Sequence, residues 1–253
     1  MNYDELIKLL EHHRNERGID HWNRLNPKPN SLKSFGIGLT FLRKIAKKMG
    51  RDHSFAKELW ESDIYDVKII SLLIDDPKLM TKEQAELQVD QLYQGHFAHV
   101  FSSCNAALAK TSFVIPLLMD WINSDNTIRK RCGYSLLYEV SKFTKKSAPD
   151  NAFFLDRIEQ ILKSFKNEKN IIKLAMGEAL MGIGKRNLEL NSAALKVAQK
   201  MSPIAVNSGV TSCEPFDVVK HLTSDYIKKN LTFNKYYLIN IIKWYLITAY
   251  TKR

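Results

Sequence analysis

Three basic clusters and one isolated carboxylate are the residues of this sequence best suited to chemistry. Arg43, Lys44, Lys47 and Lys48, followed by Arg51, fall at helical spacing; Arg129, Lys130 and Arg131 open a second amphipathic run; Lys185 and Arg186 follow Gly184. Cations grouped in this way can neutralise phosphates, each contact adding a salt-dependent increment of affinity. Such runs are also the ordinary solvated faces of helices. Glu178 stands alone in the apolar run AMGEALMGIG, where a carboxylate is costly to bury without a purpose or a cationic partner from a neighbouring element. His96 and His99 are three residues apart and could share a metal, but no Cys or carboxylate nearby in sequence completes the set, so no metal site is expected. Cys104, Cys132 and Cys213 are odd in number, widely spaced and never CxxC, which favours inert thiols in a reducing, cytoplasmic compartment. Phe97 and Phe101 suit either a core or a cleft wall that stacks on sugars or bases. Walker, Rossmann and zinc-protease motifs are absent, and no cofactor is expected.

These residues need elements to position them. Lys and Arg total 38 against 27 Asp and Glu, a net charge of +11, and 45% of the 253 residues are hydrophobic. That balance excludes a disordered chain and points to a polyanionic partner. Ten Gly and seven Pro are too few for an all-β chain that reverses every few residues, so helix is expected. The N-terminal MNYDELIKLLEHHRNERG does not read as a secretion signal. The most apolar stretch, Tyr236 to Tyr250, contains Lys243 and is shorter than the roughly 20 residues that span a bilayer; it reads as a docking helix.

Apolar residues recur at three- and four-residue spacing, as in Ile37, Phe41, Ile45 and Met49. Asp52, Thr81 and Ser124 to Asn126 supply acceptors for unpaired first-turn amides. Gly50, Asp75-Asp76-Pro77, the Lys146 to Asp150 segment and Gly184 mark stops. About a dozen helices follow. Three runs, beginning at Ile64, Thr127 and Asn170, look like successive inner helices of stacked helical pairs. Asn26 to Ser34 (NPKPNSLKS) reads as a linker, and Ser202 to Pro215 breaks the helical pattern.

The run Gly36 to Thr81, WINSDNTIRKRCGYSLL from Trp121 and AMGEALMGIGKRN from Ala175 together resemble the AlkD-like DNA alkylation repair family. The resemblance implies an all-α, right-handed superhelical solenoid of HEAT-like repeats with a basic concave channel for duplex DNA. It also implies kinship with glycosylases that release N3- and N7-alkylated purines. Cleaving that bond develops positive charge on the sugar, which a nearby carboxylate stabilises. Active members carry an aspartate four residues after a tryptophan, and a second tryptophan on the next inner helix. The matching segment here, placed by Leu108-Ala109-Lys110-Thr111, runs Phe97-Ala98-His99-Val100-Phe101, so Phe101 stands at the aspartate's place. No Asp or Glu occurs from Gln91 to Met119, and Gly177-Glu178 replaces the second tryptophan. Arg131 matches a family arginine that lies against the DNA backbone.

The expected organisation is one HEAT-like solenoid over 1–225, with 1–35 as a docked helical segment and linker, then an apolar helix over 226–253. The expected function is binding of duplex DNA, alkylated or otherwise damaged DNA included, with weak or no base excision. Two alternatives stand beside it: an active glycosylase that uses Glu178 as a relocated acid, and a scaffold whose C-terminal helix docks a protein.

Overall fold

A computed structural model describes residues 1–26, 32–92, 95–145, 148–201, 203–204 and 215–231. The proposed docking helix Tyr236 to Tyr250, Cys213, most of the Ser202 to Pro215 break and part of the Asn26 to Ser34 linker lie outside them. Among the described residues the secondary structure is helical, with two isolated β-bridges and no strand. The chain divides into two compact units, one through Leu136 and the other from Leu137 onward.

The first unit contains α1 (Tyr3–His12), α2 (Glu16–Leu25), α3 (Leu39–Met49), α4 (His53–Trp60), α5 (Tyr65–Ile74), α6 (Lys82–Asp90), α7 (Gly95–Ser102) and α8 (Val114–Ile122). α9 (Thr127–Val140) runs across the division. Caps fall where the sequence supplies acceptors: Asp52 takes the Phe55 amide and Thr81 the Gln84 amide, while Asn126 takes those of Ile128 and Arg129. α3 ends at Gly50, whose φ of 80° favours a residue without a Cβ.

α5 is the centre of this unit. Every one of its residues except Lys68 is buried, and α3, α4 and α7 pack around it. Each Ile or Leu so enclosed contributes roughly 1.5–3 kcal/mol. Its one buried carboxylate has a structural use. Asp66 accepts hydrogen bonds from Ser34 Oγ (2.8 Å) and from the amides of Phe35 (2.8 Å) and Ile37 (3.1 Å), clamping the segment that leads into α3. Burial pushes the Asp66 carboxyl above the usual aspartate range, and those donors pull it back only in part. Trp22 stacks on Tyr65 at 4.3 Å and donates to Leu32 O, so α2 is also held against α5.

The second unit contains α10 (Asn151–Ser164), α11 (Asn170–Gly184), α12 (Leu188–Met201) and α13 (Val218–Leu222). α11 plays the part of α5 here: Ile172, Met176, Leu180 and Ile183 are buried, and α10, α12 and α13 surround it. Of the three runs read from the sequence as inner helices, α5 and α11 are the most enclosed elements of their units, and the third, α9, is buried from Arg131 to Leu137.

Candidate nucleic-acid interface

α3 is amphipathic in the sense a polyanion-binding helix requires. Leu42, Ile45 and Ala46 are buried, while Arg43, Lys44, Lys47 and Lys48 are exposed on the other side. Four-residue spacing aligns Arg43 with Lys47 and Lys44 with Lys48. Among the described residues no carboxylate lies within ion-pair distance of these four cations. Arg43 is the one that is partly engaged, donating from Nη2 to Cys104 O at 3.1 Å. Arg51, at the end of the same run, is also exposed but donates to Leu73 O (2.8 Å) and Asp75 O (2.7 Å), closing the carboxyl end of α5.

The second cluster behaves differently. Arg129 forms ion pairs with Glu86 and with Asp90 (2.7 Å), and Trp121 Nε1 donates to Glu86 at 3.1 Å. Arg131 is only 9% exposed and Lys130 is half-buried. The expectation that Arg129 and Arg131 project freely toward a phosphate is not met, because Arg129 is held by acidic side chains of α6 and Arg131 lies in the interior.

Within the second unit Lys185 is exposed, whereas Arg186 is not the outward cation expected. Its Nη1 donates to Ser141 O and Phe143 O (2.9 Å), and its guanidinium lies 4.5 Å over the Phe154 ring. Burial lowers the Arg186 pKa from its ordinary value. Arg186 therefore ties the turn after α9 to the end of α11. Glu178 is half-buried on α11.

The cleft expectation for Phe97 and Phe101 is corrected outright. Both are buried, at 1% and 0% exposure. Phe97 lies 5.6 Å from the rings of Trp60 and Tyr65, and Phe101 stacks on Trp121 at 6.0 Å. The void beside Phe101, bordered by Leu72, Met80, Ala106 and Leu108, has no room for a water. The same interior encloses Cys132, whose thiol is pushed up to about 11 by burial and is no nucleophile near neutral pH. His99 is half-buried, and the side chain of His96 lies outside the described residues. Among the described residues no helix is long and apolar enough to cross a membrane.

Sequence reasoning missed Asp66, although an aspartate within YDVKIISLLI was a visible signal of a buried polar anchor. It also missed that Arg51, Arg129 and Arg186 are spent on partners far away in the chain, which no local pattern reveals.

Among the described residues an all-α architecture in which one enclosed helix, α5 or α11, is packed among the others of its unit is that of stacked helical pairs of the HEAT-like repeat class. The chain belongs to the DNA alkylation repair enzyme family, which matches residues 6–212. Its relatives include the Listeria innocua protein named "Uncharacterized protein Lin0241" and the Listeria monocytogenes protein named "Uncharacterized protein Lmo0209". Each is 24% identical over 196 residues, covering 77% of this chain and 84% of the relative. A solved structure described as "a new family of proteins related to the HEAT-like repeat DNA glycosylases with affinity for branched DNA structures" superposes with a TM-score of 0.76 at 18% identity. That match covers 91% of this chain and 96% of the other.

Proposed function

We propose that the protein binds DNA through the outer face of α3 and does not excise bases efficiently. The observation that carries this reading is the set of four exposed cations on α3 with no carboxylate partner among the described residues. An unneutralised basic stripe on a rigid helix offers phosphates a row of contacts without first breaking ion pairs. Family membership makes DNA the polyanion of choice. The affinity for branched DNA attributed to the structural neighbour makes a four-way junction the first ligand to compare with linear duplex.

The second half of the reading rests on Phe101. By the family resemblance it occupies the place of the catalytic aspartate, and it is fully buried against Trp121, beside a void that has no room for a water. A glycosylase needs negative charge beside the sugar to stabilise the developing cation, and an enclosed phenyl ring supplies none. Fluorescence anisotropy with junction and duplex at several salt concentrations tests binding. Single-turnover release of N7-methylguanine, against a no-protein control, tests excision. Salt-dependent DNA binding with release at background is the expected result. Release well above background that Glu178→Gln abolishes would instead establish a relocated acid. No binding to either DNA near 50 mM salt, where phosphate contacts are strongest, would leave the scaffold reading.

A further inference from the structure

The second unit contains a cavity of about 480 Å³ between the turn after α9 and the carboxyl end of α11. Tyr138, Ser141, Lys142, Phe143 and Thr144 border it on one side, and Gly182, Lys185, Arg186 and Asn187 on the other. Its volume is in the range of small-ligand pockets, roughly 300–1,000 Å³. The walls are held in place by contacts that involve no ligand. Arg186 fastens the 141–143 turn through the carbonyls of Ser141 and Phe143. Gly182 lets the two segments meet, since a Cβ there would strike Ser141 Oγ and the Tyr138 ring. Asn187 caps α12 by accepting the Leu190 amide at 2.9 Å.

Charge in this cavity is lopsided. Lys142 Nζ lies 3.9 Å over the Tyr138 ring and 2.9 Å from a carboxylate oxygen of Glu139. Among the described residues the Lys185 ammonium has no anionic partner. Burial, and secondarily the positive charge of Lys142, pulls Lys185 below the usual lysine range. With Glu139 set against Lys142, the charges of Lys185 and of the backbone-tethered Arg186 meet no carboxylate among the described residues, which leaves a deficit of negative charge in a preformed space.

We propose that this cavity is a nucleotide-phosphate site, in which Lys142 and Lys185 hold the phosphate and Tyr138 and Phe143 cover the attached nucleoside. Lysine supplies a point charge with several donors, and charge-assisted contacts to phosphate are about twice as strong as neutral ones. Aromatic walls accept the flat face of any base and are tolerant of sequence. The site deepens the nucleic-acid reading above and lies in a different unit from α3, so it is tested separately.

The experiment is calorimetric titration of the full chain at low salt with deoxyadenosine monophosphate and with deoxyadenosine. Saturable binding of the monophosphate, none of the nucleoside, and a loss of about tenfold or more in Lys185→Ala are expected. Lys163→Ala, which removes an exposed lysine paired with Glu159 on α10, is expected to bind as the parent does. Absence of saturable monophosphate binding overturns the proposal, and so does equal affinity in Lys185→Ala with fold retained by circular dichroism. Junction binding measured on the same samples keeps the two readings apart. Intact junction binding without monophosphate binding sinks the cavity alone, whereas monophosphate binding without any DNA binding sinks the α3 reading alone. A short single strand with a 5′-phosphate or a 5′-hydroxyl then separates a strand terminus, where the phosphate raises affinity, from an internal phosphodiester, where it does not.

Discussion

α3 and the first turns of α9 both carry runs of cations, RKIAKK and RKR, yet their surroundings differ. α3 lays its apolar side on α5, and among the described residues its charges meet no acidic neighbour. The start of α9 lies beside Glu86 and Asp90 of α6 and next to the interior that holds Phe101, Trp121 and Cys132. One run is left available to a ligand and the other is consumed by the fold. The difference teaches that the elements packed alongside decide what a basic cluster does: an apolar neighbour leaves the charge outward, and an acidic one absorbs it.

The most severe test of the interior side of this comparison is Phe101→Asp, which restores a carboxylate where the family resemblance places one. Truncating a buried phenylalanine alone costs about 3–5 kcal/mol, and an unpaired buried charge adds to that. The variant is expected to lose more than about 4 kcal/mol in urea denaturation and to gain no base release. Stability close to that of the parent would mean that this face of α7 reaches water. On the other side, replacing Lys44, Lys47 and Lys48 together with Gln is expected to leave stability within about 0.5 kcal/mol. The same variant should weaken DNA binding by about two orders of magnitude and lower the salt slope by about 2 to 3. Unchanged affinity and slope would remove α3 from the interface.

Much of the fold was legible in the sequence because helix formation is governed by near neighbours. The spacing of Phe41, Ile45 and Met49, the caps at Asp52 and Thr81, and the stop at Gly50 all act within a turn or two, although in α3 it is Leu42, Ile45 and Ala46 that are buried. The buried helices α5 and α11 were legible as apolar runs too continuous for a surface helix. The candidate site was legible only as charge. Arg129 meets carboxylates about 40 positions earlier, and Arg186 meets carbonyls about as far back. Partners at that distance are brought together by tertiary packing, so the sequence offered equal reasons to expect Arg129 and Lys44 on the surface. Phe97 and Phe101 were ambiguous for a related reason: a four-residue aromatic spacing marks one helix face without saying what covers it.

Arg129→Ala probes the border between the two behaviours. It leaves Glu86 and Asp90 without their shared cation, and because the group is partly exposed the loss is expected to be about 1–2 kcal/mol, short of a fully buried pair. DNA affinity and its salt slope are expected to stay at the parent's values. A slope lowered by about one would show that Arg129 leaves its carboxylates for a phosphate when DNA binds, and the contrast with α3 would then hold only for the free protein.

The smallest effect concerns the thiol of Cys132. Burial raises its folded pKa to about 11 from an ordinary value of 9.0, so the unfolded chain releases this proton first as pH rises. The stability linked to it is therefore fully present below about pH 9 and is lost as pH climbs through 11, on the order of 1 kcal/mol by pH 10. Other groups titrate in the same window, so the quantity to measure is the difference between the parent and Cys132→Ala in urea midpoints from pH 8 to pH 10. The cavity left by the shorter side chain lowers the variant's curve by an amount independent of pH, and any convergence of the two curves comes from the thiol itself. Convergence toward alkaline pH is expected. Parallel curves would mean that the thiol ionises as readily in the folded protein as in the unfolded chain, and that the α7–α9 interior admits charge as freely as the outer face of α3.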